Sequence, residues 1–217
     1  MTVLVTAGPT REPIDPVRFL SNRSSGKMGF AIAIAAAAAG HSVILVAGPV
    51  CLPTPDRVQR INVTTAAEML EAVRSALPSS DAAVFCAAVA DYRPAHPAAR
   101  KIKKSDEALT LTLVPTEDIL GSVRHPWNWL GILAGFAAET DNVLANAHHK
   151  LSAKGCDLIV ANDVSLPDSG FESDHNSATF LFRDGSSQSL PRQRKDELAA
   201  AIVSALERLH QSRPPQG

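Results

Sequence analysis

Residues 2–38 read TVLVTAGPTREPIDPVRFLSNRSSGKMGFAIAIAAAA and carry the clearest structural signal in the chain. The β-branched run Val3–Thr6 predicts a strand that is buried on both faces. The Ala-rich run Met28–Ala39, followed by Gly40 as a C-terminal cap, predicts a helix packed closely on a sheet. Because three prolines between them fix φ repeatedly, residues 7–18 are predicted to form a long, ordered loop without a helix.

The same alternation of apolar strands and helical segments continues along the chain. Continuously apolar strands joined by helices are typical of a parallel sheet covered on both faces. We therefore predict an α/β fold, a Rossmann-like parallel sheet with helices on both faces. Further strands are expected at Ser42–Ala47, Ala82–Cys86, Leu130–Gly135 and Leu158–Ala161, and further helices at Ala66–Leu77, Val143–Lys154 and Lys195–Leu209.

Two segments depart from the parallel pattern. Leu109–Val114 alternates apolar with polar residues, and Ala178–Phe182 stands among turn residues, so both are predicted to form a small antiparallel extension. An exposed apolar strand edge needs a cover, which predicts a homodimer built on this extension. Residues 1–217 are expected to form a single domain, with residues 211–217 as a flexible tail.

Composition excludes several classes of protein. Hydrophobic residues make up 45% of the 217, too many for a disordered chain. The 21 basic and 22 acidic side chains nearly cancel, which leaves no charge drive toward nucleic acid or an anionic membrane surface. Neither a membrane-spanning run nor a leader is expected. Three cysteines without paired spacing favour reduced thiols and a cytoplasmic protein.

A polar run, Ser21–Gly29, leads into the first helix. Hydroxyls, an amide, two cations and two glycines at a helix N-terminus favour an anion, because free backbone N–H groups and the helix dipole both attract it. The alternative is simple capping by Ser24 or Ser25. Capping explains one serine but not the whole polar run, so binding of a phosphate or carboxylate is the favoured interpretation.

Two nucleotide-binding motifs fail in this region. For a phosphate loop that ends at Gly26-Lys27, Ser21 replaces the first glycine and Met28 the magnesium-binding hydroxyl. The nicotinamide fingerprint fails because a long insert comes after Gly8, and no acidic residue comes after the second strand. Tyr92 also lacks a lysine four residues later. A nicotinamide-dependent reductase of Rossmann type stays as the alternative enzyme.

Five motifs in this order make the chain resemble the phosphopantothenoylcysteine synthetase family, ligases of coenzyme A biosynthesis. They cover most of the sequence and are spaced as in that family. They are the run TAGPTREPIDPVRFLSNRSSGKMGFAIA, then AAVADYRP at 87–94, KIKK at 101–104, GFAAET at 135–140 and ANDVS at 161–165.

The resemblance implies a two-step ligation. The carboxylate of 4′-phosphopantothenate attacks the α-phosphate of CTP, in company with Mg²⁺, and pyrophosphate leaves. The amine of L-cysteine then displaces CMP to give an amide. In many bacteria this domain is fused behind a flavin-dependent decarboxylase. The sequence here starts with the synthetase motifs, so the decarboxylase and its flavin are not expected in it. A separate phosphopantothenoylcysteine decarboxylase is a possible partner. A non-catalytic nucleotide-binding partner of such a decarboxylase is the third hypothesis.

The resemblance also implies roles for individual residues. Asn22 and Lys101 match the family's catalytic asparagine and lysine; the asparagine amide would donate to the substrate carboxylate. The basic run 100–104 is either a solvated surface or a flap that closes over phosphates. Substrate contacts are expected from Asn22, Arg18 and Ala87, and nucleotide contacts from Gly8, Ser24, Ser25, Gly26, Lys27, Gly29, Asp91, Asp118, Ile119, Phe136, Lys150 and Lys154.

Some of these assignments keep an alternative. Asp118-Ile119 retains half of the family's Asn-Pro-Asp-Ile run, while Thr116-Glu117 replaces the Asn-Pro pair, so CTP against ATP stays open. Asp91 is either a magnesium ligand or a turn cap, and Phe136 is either a base contact or core. Asn162 either lines the pocket or caps a turn. The seven histidines and three cysteines lack the spacing of a metal or redox site.

Overall fold

An eight-stranded sheet forms the centre of the computed structural model, which describes residues 1–139, 142–163 and 175–213. The following lie outside the described residues: Thr140, Val164 and Ser165 of the quoted motifs, the side chains of Ala138, Glu139 and Asp163, and residues 214–217 of the expected tail. The strands of this sheet are β1 Thr2–Ala7, β4 Ser42–Ala47, β5 Val58–Asn62, β6 Ala82–Phe85, β9 Ile132–Glu139, β10 Leu158–Asp163, β11 His175–Phe182 and β12 Ser187–Arg194.

The order of the strands is that of a Rossmann-type sheet. Six parallel strands lie in the order β5-β4-β1-β6-β9-β10, and β11 and β12 continue the sheet in antiparallel fashion. The direction of winding reverses between β1 and β6, where such sheets bind ligands beyond the carboxyl ends of their strands. The predicted fold class is confirmed.

Helices cover both faces of this sheet. On one face, α1 (Lys27–Ala38) and α5 (Lys195–Gln211) pack on the side that contains Val3 and Val5. On the other face, where Leu4 points, lie α2 (Ala66–Ala76), α3 (Ile119–Arg124) and α4 (Val143–Ala153). Because β1 is buried on both faces, Val3, Leu4 and Val5 follow one another as apolar residues, and Ala7 is buried as well.

Two hairpins stand beside the main sheet. The first loop contains β2 (Arg11–Pro13) paired with β3 (Phe19–Ser21), and β7 (Tyr92–Pro94) pairs with β8 (Leu113–Pro115). The predicted loop therefore has no helix but holds a short hairpin. None of the helices in the described ranges is long and apolar enough to cross a bilayer.

Several predicted boundaries were wrong. The strand expected at Leu109–Val114 starts only at Leu113, and the one expected at Leu130–Gly135 runs from Ile132 to Glu139. Ala178–Phe182 is antiparallel as predicted, but it lies inside the main sheet between β10 and β12 and is not an edge. The short helix α3 and the half-polar edge strand β5 gave too weak a periodic signal to predict.

A carboxylate surrounded by arginines lies at the amino end of the sheet. Asp157 is 7% exposed. Its Oδ2 accepts bonds from Arg124 Nη2 at 2.7 Å, Arg213 Nη2 at 3.0 Å and the Leu133 N–H at 2.8 Å. Arg183 Nη2 lies 3.4 Å from Oδ1. These contacts tie the end of α5 to the starts of β9 and β10.

Candidate functional site

A cavity of about 560 Å³ opens at the carboxyl ends of β1, β6, β9 and β10. Thr6 comes from β1, residues 85–91 from the end of β6 and the loop after it, and Phe136 and Asn162 from the next two strands. The buried Thr6 hydroxyl joins two of these strands, since it accepts the N–H groups of Cys86 and Ala87 at 3.2 Å each. The cavity therefore lies where the winding of the sheet reverses.

The N-terminus of α1 forms one wall. Its N-cap is Gly26, at a φ of 77°, and this position makes no side-chain capping hydrogen bond. Neither Ser24 nor Ser25 is therefore the N-cap residue; the Ser24 hydroxyl accepts the Gly26 N–H, at 3.4 Å. With Lys27 and Gly29, these residues line the cavity. A helix N-terminus without a side-chain cap attracts anions.

Glycines allow this wall to lie against the sheet. A Cβ on Gly29 would stand 2.5 Å from the Ala7 Cβ, closer than any side chain tolerates. Gly8, at a φ of 77°, packs behind Gly26: a Cβ on Gly26 would meet the Gly8 Cα at 3.4 Å. Gly8 thus supports the cavity wall from behind and does not line it.

Asn22 lies on the rim. Its side-chain Nδ2 donates to the carbonyls of Ala88 at 3.0 Å and Val89 at 3.4 Å. Both acceptors are carbonyl oxygens, which fixes the amide orientation and directs Oδ1 away from them. Ala87, the other expected substrate contact, lies in the same segment and lines the cavity.

The opposite wall combines α3, α4 and the end of β9. Asp118 caps α3 by accepting the Gly121 N–H at 2.9 Å, and its other oxygen pairs with Lys154. Lys150 Nζ donates to the Phe136 carbonyl at 2.7 Å. The two lysines, Lys150 in the last turn of α4 and Lys154 at its C-cap, therefore reach the same wall. Phe136 is half-buried there, and Ile119 is buried.

The charge of Asp118 is stabilised by these contacts. Burial alone would raise the pKa of its carboxyl, but the hydrogen bonds from Lys154 and the Gly121 N–H outweigh it and hold the pKa below its usual range. Thr116, at the point where the chain departs from the family run, donates its hydroxyl to the Ala90 carbonyl at 2.5 Å. It thereby ties this wall to the segment after β6.

The deep end of the cavity holds polar residues that sequence reasoning missed or left open. Asn162 is 7% exposed, Asn176 4% and Lys195 8%, and all three line the cavity. The amide oxygens of both asparagines have no hydrogen-bond partner among the residues that the structure describes. No local signal marked Asn176 or Lys195, since β11 and the start of α5 bring them in from far along the chain.

Among the residues that the structure describes, the carboxylates near the rim do not form a preformed metal cage. Asp91 and Glu117 are exposed and line the cavity. Within the described ranges, no three His, Cys, Asp or Glu side chains are grouped to hold a metal ion. Any divalent ion here would share its coordination with a ligand, as Mg²⁺ does with phosphates.

Three expected site residues lie outside the cavity wall. Gly8 is behind it, Lys101 is exposed on the basic run 100–104, and the guanidinium of Arg18 binds Asp15 at 2.5 Å. The other expected residues are together in one cavity. Cys86 also lines it, and burial raises the pKa of this thiol to about 12, so it stays protonated and is no nucleophile at neutral pH.

Comparisons with known proteins agree on one family. The model of the DNA/pantothenate metabolism flavoprotein C-terminal domain matches residues 1–209. The coenzyme A biosynthesis bifunctional protein CoaBC of Escherichia coli K12 is 47% identical over 209 residues, covering 95% of this chain and 51% of that protein. CoaBC of Bacillus subtilis is 46% identical over 205 residues, covering 94% and 50%. The chain thus spans about half the length of these relatives.

A solved structure shows which half. The crystal structure of the C-terminal domain of CoaBC aligns with a TM-score of 0.84 at 40% identity. The alignment covers 98% of this chain and 96% of that domain. The described fold, with its extended antiparallel edge, is therefore the fold of that domain.

Proposed function

This chain belongs to the family of the DNA/pantothenate metabolism flavoprotein C-terminal domain, and we propose that it is the ligase that joins 4′-phosphopantothenate to L-cysteine. The resemblance found in the sequence is confirmed at the level of the family. The observation that carries the proposal is the cavity at the winding reversal, which combines an uncapped helix N-terminus with a rim amide and a cationic wall. These three features suit ligation of an acid through an acyl-nucleotide, which has to hold a triphosphate, orient a carboxylate and neutralise negative charge.

The triphosphate is proposed to lie along the N-terminus of α1. Its negative charge meets the backbone N–H groups of the first turn, the helix dipole and Lys27. The base is proposed to lie toward Phe136 and the Asp118–Lys154 pair, with Lys150 beside them. CTP is the proposed nucleotide, by analogy with the family, and the changed Thr116-Glu117 pair is where an altered base preference would arise.

Ligation then proceeds in two steps, activation of the carboxylate and transfer of the acyl group to the amine. A carboxylate oxygen of phosphopantothenate attacks the α-phosphorus, the bond to the β-phosphate oxygen breaks, and pyrophosphate leaves. The cysteine amine next attacks the acyl carbon, its proton is lost, and the bond to the nucleotide phosphate breaks to release CMP. Positioning, charge neutralisation and exclusion of water supply the catalysis. No step uses a flavin.

Asn22 is proposed to act at the reacting carboxylate. Its Nδ2 donates to the carbonyls of Ala88 and Val89, so Asn22 holds the segment after β6 that lines the cavity. Direct donation to the substrate requires the amide to exchange one of these carbonyls for the substrate oxygen. A neutral amide tolerates both states, whereas an aspartate would repel the carbonyls and the substrate alike.

Mg²⁺ is proposed to enter with the nucleotide. Asp91, exposed on the cavity rim, fits a single protein carboxylate on a phosphate-bound ion, since Mg²⁺ keeps several waters and takes few protein ligands. When bound, the ion would neutralise triphosphate charge.

A homodimer is also proposed, on the two hairpins. This surface keeps Leu113 of the expected segment Leu109–Val114 but not Ala178–Phe182, which lies inside the main sheet. Val17 and Phe19 on the first hairpin and Tyr92 and Leu113 on the second are each more than 40% exposed. Large apolar side chains exposed together favour an interface. Sedimentation of the wild type against a Phe19→Ser, Leu113→Ser variant tests this: the wild type should sediment as a dimer and the variant as a monomer.

A nucleotide panel tests the ligase proposal. CTP, ATP, GTP and UTP are each supplied with 4′-phosphopantothenate and cysteine, and pyrophosphate and the amide product are measured. We expect CTP to give both products, with the amide dependent on cysteine. Pyrophosphate without amide would indicate a different nucleotidyl-transfer reaction. Nucleotide binding with no turnover would favour a non-catalytic partner of a flavoprotein decarboxylase, and binding of NADH or NADPH a reductase.

A further inference from the structure

The basic run Arg100–Lys104, here called the lysine arm, is attached to the first loop by a buried carboxylate. Asp15 has a fully buried side chain and lies 87 residues before Ile102 in sequence. Its Oδ2 accepts the Ile102 N–H at 3.1 Å. The Ile102 carbonyl in turn accepts Arg18 Nη2 at 2.8 Å. Both backbone groups of one arm residue are therefore held from the same loop.

The carboxylate is saturated by these partners. Asp15 Oδ1 accepts the N–H groups of Val17 and Arg18 at 2.8 Å each, and Oδ2 also accepts Arg18 Nε at 3.0 Å and Nη2 at 2.5 Å. A buried charge is tolerated when it is paired and hydrogen-bonded in this way. The Arg18 side chain holds the pKa of Asp15 well below its usual range. The pair therefore stays ionised at neutral pH.

The same loop is anchored to the cavity wall. Thr10 is fully buried; its N–H donates to the Ala88 carbonyl at 3.3 Å, and its hydroxyl accepts the Ala90 N–H at 3.0 Å. Further along the loop, the Ile14 carbonyl accepts the Ala98 N–H at 2.9 Å. A continuous set of hydrogen bonds thus runs from the cavity wall through the loop to the arm.

Without these contacts the arm has little to hold it. Four of its five residues are cationic and exposed, and they repel one another; only Ile102 is half-buried. The peptide that joins Lys101 to Ile102 is the one whose N–H binds Asp15, so the direction of Lys101 depends on that bond.

We propose that Asp15 and Arg18 form a latch that positions the lysine arm relative to the cavity. In this role Arg18 is a positioning residue and not the substrate contact expected from the sequence. The role of the latch in turnover rests on the proposed ligase function, in which Lys101 acts on the nucleotide. The latch itself is a property of the fold that can be measured without substrates.

Trypsin measures the latch directly, because the arm offers four cleavage sites. Native-state cleavage within residues 100–104 should be about tenfold faster in Asp15→Asn than in the wild type, since opening of the arm becomes easier. Glu12→Gln is the matched control. Glu12 is a second buried carboxylate of the same loop, but it binds the Ala66 N–H at the start of α2 and does not touch the arm. Thermal melting compares the stability of both variants.

Kinetics separates positioning from substrate binding. If the latch positions Lys101, Asp15→Asn and Arg18→Met should each lower kcat by about 10- to 100-fold with little change in KM for phosphopantothenate. The double variant should be no worse than the poorer single variant, because both changes break one unit. Arg18→Lys, which keeps the charge but not the two-pronged contact, should recover part of kcat.

Three results would overturn the latch. The first is an unchanged rate of trypsin cleavage of the arm in both Asp15→Asn and Arg18→Met. The second is an equal rise in the cleavage rate in Glu12→Gln. The third is a KM for phosphopantothenate that rises only in Arg18→Met, which would make Arg18 a substrate ligand. If Asp15→Asn does not fold, Arg18→Met and Arg18→Lys supply the same cleavage comparison. If the wild type ligates nothing, the proposed function fails and the cleavage experiment still decides whether the latch exists.

Discussion

Buried polar groups are paired at one end of the central sheet and partly unpaired at the other, within the described part of the chain. At the amino end, Asp157 is surrounded by three arginines and a backbone N–H. At the carboxyl end, Asn162 and Asn176 are just as deeply buried, yet their amide oxygens have no partner within the described part of the chain. An unpaired buried polar group costs stability, so a fold retains one mainly where a ligand can satisfy it.

This contrast separates residues that hold the fold from residues that are kept for binding. The amino end joins α5 to β9 and β10 through paired charges. The carboxyl end leaves the first turn of α1 without a side-chain cap and leaves amide oxygens unsatisfied, as far as the described residues go. Substitutions at the first end should therefore change stability, and substitutions at the second should change activity.

The largest effect is expected at the amino end. Asp157→Asn leaves three arginines without their carboxylate and should lower the free energy of unfolding by about 3–5 kcal/mol, because breaking a buried ion pair strands the remaining charge. Urea denaturation measures the loss. The control is Asp196→Asn, which breaks an exposed pair with Arg194 and should change little. Equal losses in the two variants would remove Asp157 from the stabilising set.

Asn22→Asp, at the carboxyl end, should lower activity and leave stability nearly unchanged. Replacing the amide removes both donors and faces a carboxylate toward the carbonyls of Ala88 and Val89 and toward the substrate acid. We expect kcat/KM to fall about 100-fold, the cost of losing a positioned donor, with little change in melting temperature. Asn22→Ala separates lost donation from added repulsion. A melting temperature that falls in proportion to activity would make Asn22 a structural residue.

At the deep end of the cavity, one substitution should keep or raise stability while it weakens substrate binding. The Asn176 amide oxygen has no partner among the described residues, and its nitrogen makes only a weak bond to Met28 Sδ at 4.0 Å. Asn176→Leu puts an apolar side chain of similar size there, so stability should hold or rise by about 1 kcal/mol. If a ligand normally meets that amide, KM for the nucleotide or for cysteine should rise about tenfold. Steady-state kinetics for each substrate identifies which ligand is involved. Unchanged kinetics with lower stability would contradict a binding role.

A smaller effect is expected for the Asp118–Lys154 pair, which is partly exposed. Because the folded pKa of Asp118 is lowered, its ionised form stabilises the protein above the unfolded value near 3.8, and this contribution is lost as pH falls through the lower folded value. Lys154→Met should therefore weaken stability by up to about 1 kcal/mol at neutral pH and flatten the fall below pH 3.8. Urea midpoints across that range test the sign; an unchanged acid slope would contradict it.

Local elements and long-range contacts also differ in how far the sequence predicts them. The strand at Val3–Thr6 and the helix after it were predicted because periodicity is local, and the polar run between them marked the cavity wall. The bond from Asp15 to Ile102 spans 87 residues, and no local pattern signals it. Lys195 was likewise missed because it opens an ordinary amphipathic helix, and only the packing of α5 beside α1 brings it to the cavity.

The half-buried Cys86 and the buried Cys156 provide the finest test of the contrast, because one lies at each end of the sheet. Burial raises the pKa of both Cys86 and Cys156 to about 12, so iodoacetamide at pH 8 should label only the exposed Cys51 in the native protein. In low urea, labelling reports local opening. Cys86 borders the under-paired cavity, while Cys156 precedes the saturated Asp157, so Cys86 should become reactive at a lower urea concentration. Mass spectrometry of each site against time measures both rates. Simultaneous labelling would mean that the two ends open only together, and the paired charges at the amino end would then stabilise the whole sheet and not that end alone.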